Sequence, residues 1–448
     1  MRAERGLGWL SIVRLGLAQT ALGAIVVLMT STINRVMVVE LALPALVPGL
    51  LVASHYAVQI FRPAWGYGSD VGGRRTPWIV GGMATLAIGA IGAAVGTALA
   101  ANSLPLGLSV AAVAFLLVGI GAGAAGTSVL ALLASRVAPG RRAAAASVVW
   151  MMMILGFAVS APLAGHFLDP FSNARLIEVT STVAAVAFVM SALAVWGVED
   201  KAEATNAAQG AAHRASSSFA GALAEVWREP AARRFTTFIF VSMLAYGAQE
   251  LLIEPFTGLV FGMTPGSTTK LAGLQHGGVL AGMIGVAIAA TAIGGRILGS
   301  LRLWTMAGCA ASAASLAGIA AIGLFALGPD AFRAGVFALG LSNGVYAVAA
   351  IGSMMGLAGA GTASREGTRM GLWGAAQAIA YGTGGVAATV LVDLGRGLGA
   401  TPLLAYALVF GLEAALFLVA TALARSSAPR PVYEGSTAPV RPALSAQS

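Results

Sequence analysis

The chain has 448 residues, of which 58% are hydrophobic and only 10% are charged. A soluble protein of this length needs far more charge to cover its surface, so the composition excludes that class. The net charge of +9 is carried mainly by arginine, since every basic residue except Lys201 and Lys270 is Arg. These arginines are sorted by loop, which favours a membrane topology over a nucleic-acid partner or an acidic substrate. The single cysteine, Cys309, excludes a disulfide framework.

Apolar runs of at least about 18 residues recur along the whole chain, each long enough to cross a hydrocarbon core of about 30 Å as a helix. They predict twelve spanning helices, at 14–39, 48–65, 77–101, 108–137, 143–167, 176–198, 235–261, 269–292, 303–327, 331–360, 367–394 and 402–424. The first run is too long for a cleavable signal peptide and lacks a small-residue cleavage site, so we expect it to remain a membrane helix. The sequence therefore predicts an all-α polytopic membrane protein.

The predicted helices fall into two halves of six, at 1–198 and 235–424. A polar, cytoplasmic central loop at 199–234 joins them. Four apolar residues near its end have helical spacing: Phe219, Leu223, Val226 and Trp227. They predict either an amphipathic helix in the cytoplasmic interface or a solvated linker. The Pro-, Ser- and Ala-rich tail at 425–448 is predicted to be disordered.

The arginines orient the chain in the membrane. With the N-terminus in the cytoplasm, most arginines fall in cytoplasmic segments. The opposite loops hold only Arg175, Lys270, Arg333 and Arg396, with Arg35 near that end of helix 1. This asymmetry predicts that both termini are cytoplasmic, and we call the arginine-poor side the outer side.

A short polar and basic hairpin, GYGSDVGGRR at 66–75, separates helices 2 and 3. Five of its residues keep the spacing of the signature that the major facilitator superfamily carries there: Gly66, Asp70, Gly73, Arg74 and Arg75. Glycines let two helix ends approach, and Asp70 can accept hydrogen bonds from a helix N-terminus or from an arginine of the other half. With the twelve spans, the hairpin resembles that superfamily and predicts a cytoplasmic conformational latch. The alternative is a turn that only follows the positive-inside rule.

Ionisable groups in a membrane core cost about 2.5 to 3.5 kcal/mol each on insertion scales, so each one needs a reason. Glu250 and Glu254 lie four residues apart on one face of helix 7, beside Gln249 and before Pro255. They are candidates for a proton, cation or partner contact in a central cleft. Alternatively, both lie in water near the outer interface.

Other polar residues extend this candidate cleft. Arg35 and Glu40, at the end of helix 1, are expected to pair with each other or with helix 7. His55 on helix 2 and His276 on helix 8 are either axial ligands for a chlorophyll magnesium or isolated polar side chains that line the bundle.

On helix 11, Gln377 follows Trp373 by one turn, and the pair either lines a cleft for a large flat ligand or packs within the bundle. Arg369, on the same helix, completes the candidate set. The sequence contains no nucleophile triad, metal-ligand cluster or nucleotide-binding loop, so we expect neither an enzyme nor a metal site.

Five stretches together resemble one branch of the superfamily. They are 29–44, HYAVQIFRPAWGYGSDVGGRRTPWIVGGM at 55–83, QELLIEPFTGLVFGMTPGSTTKL at 249–271, SNGVYAVAAIGSMMGLA at 342–358 and SREGTRMGLWGAAQAIAYGTGG at 364–385. These stretches resemble the PucC family of phototrophic bacteria, also called the bacteriochlorophyll delivery family. The compact hairpin is most similar to the subgroup encoded among bacteriochlorophyll-synthesis genes.

The resemblance implies an assembly factor in the inner or intracytoplasmic photosynthetic membrane. Such a factor delivers bacteriochlorophyll or a precursor, or chaperones light-harvesting and reaction-centre polypeptides, with bacteriochlorophyll synthase as a further partner. It has no intrinsic cofactor and holds bacteriochlorophyll only as a bound pigment. The alternative is a secondary transporter that exports a hydrophobic or tetrapyrrole-like molecule. Helix 4 lacks the arginine often found in proton-coupled members of the superfamily, which favours the assembly factor.

Overall fold

A computed structural model of the chain describes residues 7–62, 65, 74–138, 141–199, 227–290, 300–359 and 366–427. These ranges contain twelve apolar helices: α1 Trp9–Glu40, α2 Leu46–Phe61, α3 Thr76–Ala100, α4 Leu104–Arg136, α5 Arg142–Leu168, α6 Asn173–Val195, α7 Pro230–Phe261, α8 Pro265–Ile288, α9 Leu301–Leu324, α10 Pro329–Gly359, α11 Glu366–Gly397 and α12 Pro402–Ser427. Eleven are long enough to cross a membrane, and α2 is shorter over its described residues. The predicted all-α polytopic fold is confirmed.

Several predicted helix boundaries are wrong by a few residues. Local chemistry explains where the helices begin and end in the structure. α7 starts at Pro230 and α8 at Pro265, because proline fits the first helical turn, where no intrahelical donor is needed. The hydroxyl of Thr264 accepts from the Ser267 backbone N–H and caps α8. Gly262 ends α7 in the left-handed region, at φ 63°.

Helix contacts repeat with a shift of six helices. In the first half α1 packs on α5 and α6, α2 on α4, and α3 on α4 and α6. In the second half α7 packs on α11 and α12, α8 on α10, and α9 on α10 and α12. The two most extensive helix contacts between the halves are α5 with α8 and α2 with α11, and the same shift of six helices converts one into the other. We call these two contacts the seams.

Large aromatic side chains fill the core of the second half, whereas small residues dominate much of the first. Phe256 lies against Phe332, Tyr406 and Phe410, with ring centroids 5.3 to 5.7 Å apart. Between α3 and α4 the helices instead approach through glycine. A Cβ at Gly82 would lie 2.6 Å from the Ala125 backbone nitrogen. Such contacts supply the van der Waals packing that holds helices together in lipid.

The predicted amphipathic helix of the central loop lies outside the described residues, except for Trp227, which is exposed. The tail after Ser427 also lies outside them. Both remain predictions.

Neighbouring glycines on α3 provide a matched test of the α3–α4 contact. We expect Gly82→Ala to lower the free energy of unfolding by about 1 to 3 kcal/mol, because the added methyl meets backbone that cannot move aside locally. Gly81→Ala should raise the free energy of unfolding by about 0.5 to 1 kcal/mol, since no atom lies within 4 Å of a Cβ placed at Gly81 and alanine favours the helix. Thermal unfolding in detergent measures both, and equal effects would contradict the close contact.

Candidate functional site

The first feature of the site is an irregular stretch of α1. Residues Leu28–Ile33 and Val36–Glu40 form π-helical turns, a conformation that is rare and often found at functional sites. Its polar residues Ser31, Thr32, Asn34 and Arg35 are all buried, whereas Glu40 at its end is exposed. Since buried polar groups in lipid need partners inside the protein, α1 must reach a polar surface on another helix.

That surface lies on the second half, on α7 and α8. Pro255 has no backbone N–H, so the carbonyl of Leu251, four residues earlier, lacks its usual helical donor. The side-chain amide of Asn34 donates to this carbonyl at 2.8 Å. Nearby, the hydroxyls of Thr32 and Thr269 are 2.9 Å apart. Helix α1 is therefore hydrogen bonded to both helices across the divide between the halves.

Arg35 forms the predicted ion pair with Glu40 and also bonds the segment just after α7. Its Nη1 pairs with the carboxylate of Glu40, and its Nη2 donates to the carbonyl of Met263, just after α7, at 2.6 Å. Gly258 makes room for the guanidinium, because a Cβ there would lie 3.1 Å from Nη2. With 2% of its side chain exposed, Arg35 is a buried cation that links the two halves.

The α7 acids lie close to this cation. Glu254 is 2% exposed, which excludes the water-exposed alternative for this residue. The hydroxyls of Ser31 and Thr268 face its carboxyl, but neither completes a hydrogen bond to it, and both of its oxygens lack a partner among the described residues. Gln249 is fully buried, and its amide likewise lacks one there. These unpartnered groups could receive a polar ligand or water.

Glu250 lies one turn before Glu254 and faces a set of tyrosines that sequence reasoning missed. The rings of Tyr56 and Tyr381 meet at the α2–α11 seam with centroids 5.1 Å apart, and Tyr381 lies 5.6 Å from Tyr246. Glu250 lies within electrostatic reach of all three. The available signal was Tyr246, one helical turn before Glu250. We call Glu250 and these tyrosines the tyrosine site.

His276 lies beside the tyrosine site at the α5–α8 seam. Its Nε2 is 4.0 Å from Glu250 Oε1, its Nδ1 bonds the Ala272 carbonyl at 2.9 Å, and Phe157 of the first half lies edge-on at 4.7 Å. Only 5% of this residue is exposed. The ring therefore makes internal contacts on several sides.

His55 is enclosed in a similar way. Its Nε2 lies 2.9 Å from the amide nitrogen of Gln59, and 3% of the residue is exposed. α4 passes so close that a Cβ at Gly119 would lie 2.6 Å from the His55 carbonyl oxygen. Both histidines are almost fully buried among the described residues, at 3% and 5% exposed. Their surroundings do not fit an axial ligand for a chlorophyll magnesium and match the alternative of polar residues within the bundle.

The helix 11 candidates separate. Trp373 is 1% exposed and packs edge-on against Phe235 at 5.1 Å, which places it in the core of the second half and matches the packing alternative. Gln377 is half-buried one turn later. Arg369 belongs to α11, but its side chain lies outside the described part of the structure.

The cytoplasmic hairpin is only partly described. Gly66, Asp70 and Gly73 lie outside the described residues, so the predicted latch remains a prediction, with Arg74 and Arg75 at the start of α3. Sequence reasoning missed Glu199, just beyond α6. Its carboxylate accepts from the backbone N–H groups of Arg75 and Thr76, at 2.8 and 2.7 Å, and from the Thr76 hydroxyl. This acid satisfies the free donors at the start of α3 within the first half.

An apolar groove runs along the α2–α11 seam next to the tyrosine site. Its volume is about 420 Å³, and ten residues line it: Ala53, Tyr56, Ala57, Ile60, Ala378, Ile379, Gly382, Thr383, Val386 and Ala387. Ile60 and Ile379 at its rim are exposed. The groove therefore opens sideways from the bundle, and Tyr56 connects it to the tyrosine site.

Solved structures identify the class of protein. The chain aligns with PepTSo2 at a TM-score of 0.65 and 16% identity, covering 93% of this chain and 97% of that one. It aligns with the human organic anion transporter MFSD10 (TETRAN) at a TM-score of 0.59 and 17% identity, covering 93% and 98%. The chain has the fold of the major facilitator superfamily, as predicted.

The sequence comparisons identify the family. The model of the family described as "PUCC protein" matches residues 32–428, so the chain belongs to the PucC family and the predicted resemblance is confirmed. The chain is 51% identical to the "Bacteriochlorophyll synthase 44.5 kDa chain" of Rhodobacter capsulatus, over 93% of this chain and 95% of that protein. It is 32% identical to "Protein PucC" of the same species, over 92% and 91%. The chain is a multi-pass protein of a bacterial inner or intracytoplasmic photosynthetic membrane.

The bond from Asn34 to the Leu251 carbonyl can be tested by a double-mutant cycle. We expect Asn34→Leu to lower the free energy of unfolding by about 1 to 3 kcal/mol, because the carbonyl is left buried without a donor. In the Asn34→Leu background, Pro255→Ala should recover part of that loss, since the new backbone N–H can donate to Leu251. Thermal unfolding of the four proteins gives the coupling energy. Strictly additive effects would show that Asn34 does not serve this carbonyl.

Proposed function

We propose that the protein is an assembly factor for photosynthetic light-harvesting complexes, which binds bacteriochlorophyll or a late precursor and passes it to antenna or reaction-centre polypeptides. The supporting family evidence is 51% identity, over nearly the full length of both chains, to a relative named as a bacteriochlorophyll synthase chain. On this proposal the chain carries pigment beside the synthase and is not itself the enzyme.

The observation that carries the proposal is the groove at the α2–α11 seam. Its walls are almost entirely apolar, and it opens sideways, where a membrane-dissolved molecule arrives. Tyr56, in its wall, lies within electrostatic reach of Glu250, and these two side chains can offer hydrogen-bond partners to polar substituents of a pigment. On this proposal the bound pigment is cargo, and His55 and His276, which are almost fully buried, do not ligate its magnesium.

A secondary transporter is the second candidate, and the observation that favours it is the pair of buried ionisable residues Arg35 and Glu254, with the exposed Glu40 bonded to Arg35. Ionisable residues inside a membrane commonly mark ion or substrate pathways. A transporter must, however, part the outer ends of the two halves in every cycle. An assembly factor that takes cargo sideways has no such requirement.

The pigment proposal predicts a groove-specific defect. Purified in mild detergent from a phototrophic host, the wild-type protein should carry bacteriochlorophyll, detected by its absorbance and by mass spectrometry. Gly382→Leu should reduce the bound pigment by about tenfold, because it fills the groove in front of Tyr56. Gly411→Leu, on an open face of α12, is the matched control and should leave the pigment unchanged.

The same preparations distinguish the two forms of assembly factor. A folded wild-type protein without pigment would overturn pigment binding. If antenna polypeptides copurify without pigment, the protein would keep only the role of a chaperone for those polypeptides. Equal loss of pigment in the two glycine variants would show that the groove does not bind the pigment.

A further inference from the structure

Two aspartates outside the candidate site join the halves at their outer ends. Asp393, near the end of α11, accepts from the backbone N–H groups of Ala45 and Leu46 at 3.0 and 2.8 Å. These groups belong to the first turn of α2 and have no partner within that helix. One carboxylate of the second half therefore caps a helix of the first.

Asp169, directly after α5, makes the reciprocal contact. Its oxygens accept from the backbone N–H of Gly266 at 3.2 Å and from the hydroxyl of Thr264 at 3.0 Å, both at the start of α8. A Cβ at Gly266 would lie 2.4 Å from the Asp169 carboxyl carbon, so the contact requires glycine there. A carboxylate of the first half caps a helix of the second.

The two contacts are one contact repeated. A shift of six helices turns α5 into α11 and exchanges α2 with α8, so the aspartates lie near the outer ends of corresponding helices. Asp169 directly follows α5, Asp393 lies in the last turns of α11, and both face a helix N-terminus, where the backbone dipoles favour a negative charge. In both halves, therefore, the aspartate bonds the start of a helix in the other half and not the helix that carries it.

We propose that Asp169 and Asp393 are paired positioning residues, the outer clamps, that hold the two seams closed on the outer side of the membrane. Parting the outer ends of the halves breaks both sets of hydrogen bonds and removes a carboxylate from each of two helix N-termini. The contacts of Asn34 and Arg35 across the same divide add to this closure. The inference goes beyond the proposed function, since it holds for any cargo.

The test measures access from the outer side to a buried reporter. Ser31, 7% exposed beside Glu254, is replaced by cysteine in a Cys309→Ala background. Membrane-impermeant maleimide is then added to right-side-out vesicles that contain Asp169→Asn, Asp393→Asn or both. Asparagine keeps the size of the side chain but loses the charge that favours the helix N-terminus. Asp330→Asn is the matched control, because Asp330 is exposed on the outer side and pairs only with Arg333 three residues away among the described contacts.

We expect each clamp variant to raise the labelling rate roughly fivefold and the double variant to raise it about twenty-five-fold, since separate contacts contribute additively to the free energy. Asp330→Asn should leave the rate unchanged. An unchanged rate in the double variant, or an equal rise in Asp330→Asn, would overturn the clamps.

Loss of the fold is distinguished by the native cysteine. Cys309 is fully buried in the core of the second half. In clamp variants that keep Cys309 and lack the Ser31→Cys reporter, Cys309 should remain unlabelled. Labelling of Cys309 would show that the variants unfold rather than open, and would overturn the inference.

Discussion

The contact between the halves depends on one requirement: the buried carbonyl of Leu251 needs a hydrogen-bond donor. Pro255 deprives it of a helical donor, and no water is available in a hydrocarbon core to replace one. Asn34 supplies the missing bond from the other half. This bond fixes α1 against α7, and in that position Arg35 reaches the Met263 carbonyl while Ser31 faces Glu254. A single proline on α7 thus determines where the polar stretch of α1 lies.

Sequence reasoning recovered the parts of the fold that depend on local composition. Apolar runs predicted the membrane-spanning helices to within a few residues at their ends, without knowledge of distant contacts. The orientation indicated by the loop arginines remains a prediction. The pair of Arg35 and Glu40 was also within reach, although its five-residue spacing suits a π-helical turn that apolar periodicity does not reveal. For Glu254, periodicity gave the correct face of α7 but left its depth open between a buried cleft and a wet interface.

Sequence reasoning missed the contacts that depend on which distant helix ends meet in the fold. Asp169 and Asp393 look like ordinary residues at the ends of apolar runs, because their partners lie about a hundred and about 350 residues away along the chain. The tyrosine site likewise assembles from α2, α7 and α11. For the histidines, the sequence left open a pigment ligand or a polar residue within the bundle, and the structure buries both, with Gln59 beside His55 and the Ala272 carbonyl beside His276.

Polar contacts at the outer ends and an apolar groove at the side together favour a cargo route through the bilayer rather than across it. On this account the protein works with its outer side closed.

Thr32 and Thr269 meet across the divide with their hydroxyls 2.9 Å apart, so cysteines at both positions in a Cys309→Ala background can be cross-linked by oxidation. The decisive measurement is bacteriochlorophyll incorporation into antenna polypeptides in membranes that contain the cross-linked protein, with Thr32→Cys alone as the control. We expect incorporation to be equal before and after reduction of the cross-link. Incorporation that stops on cross-linking and returns on reduction would show that the outer side must open, as in a transporter.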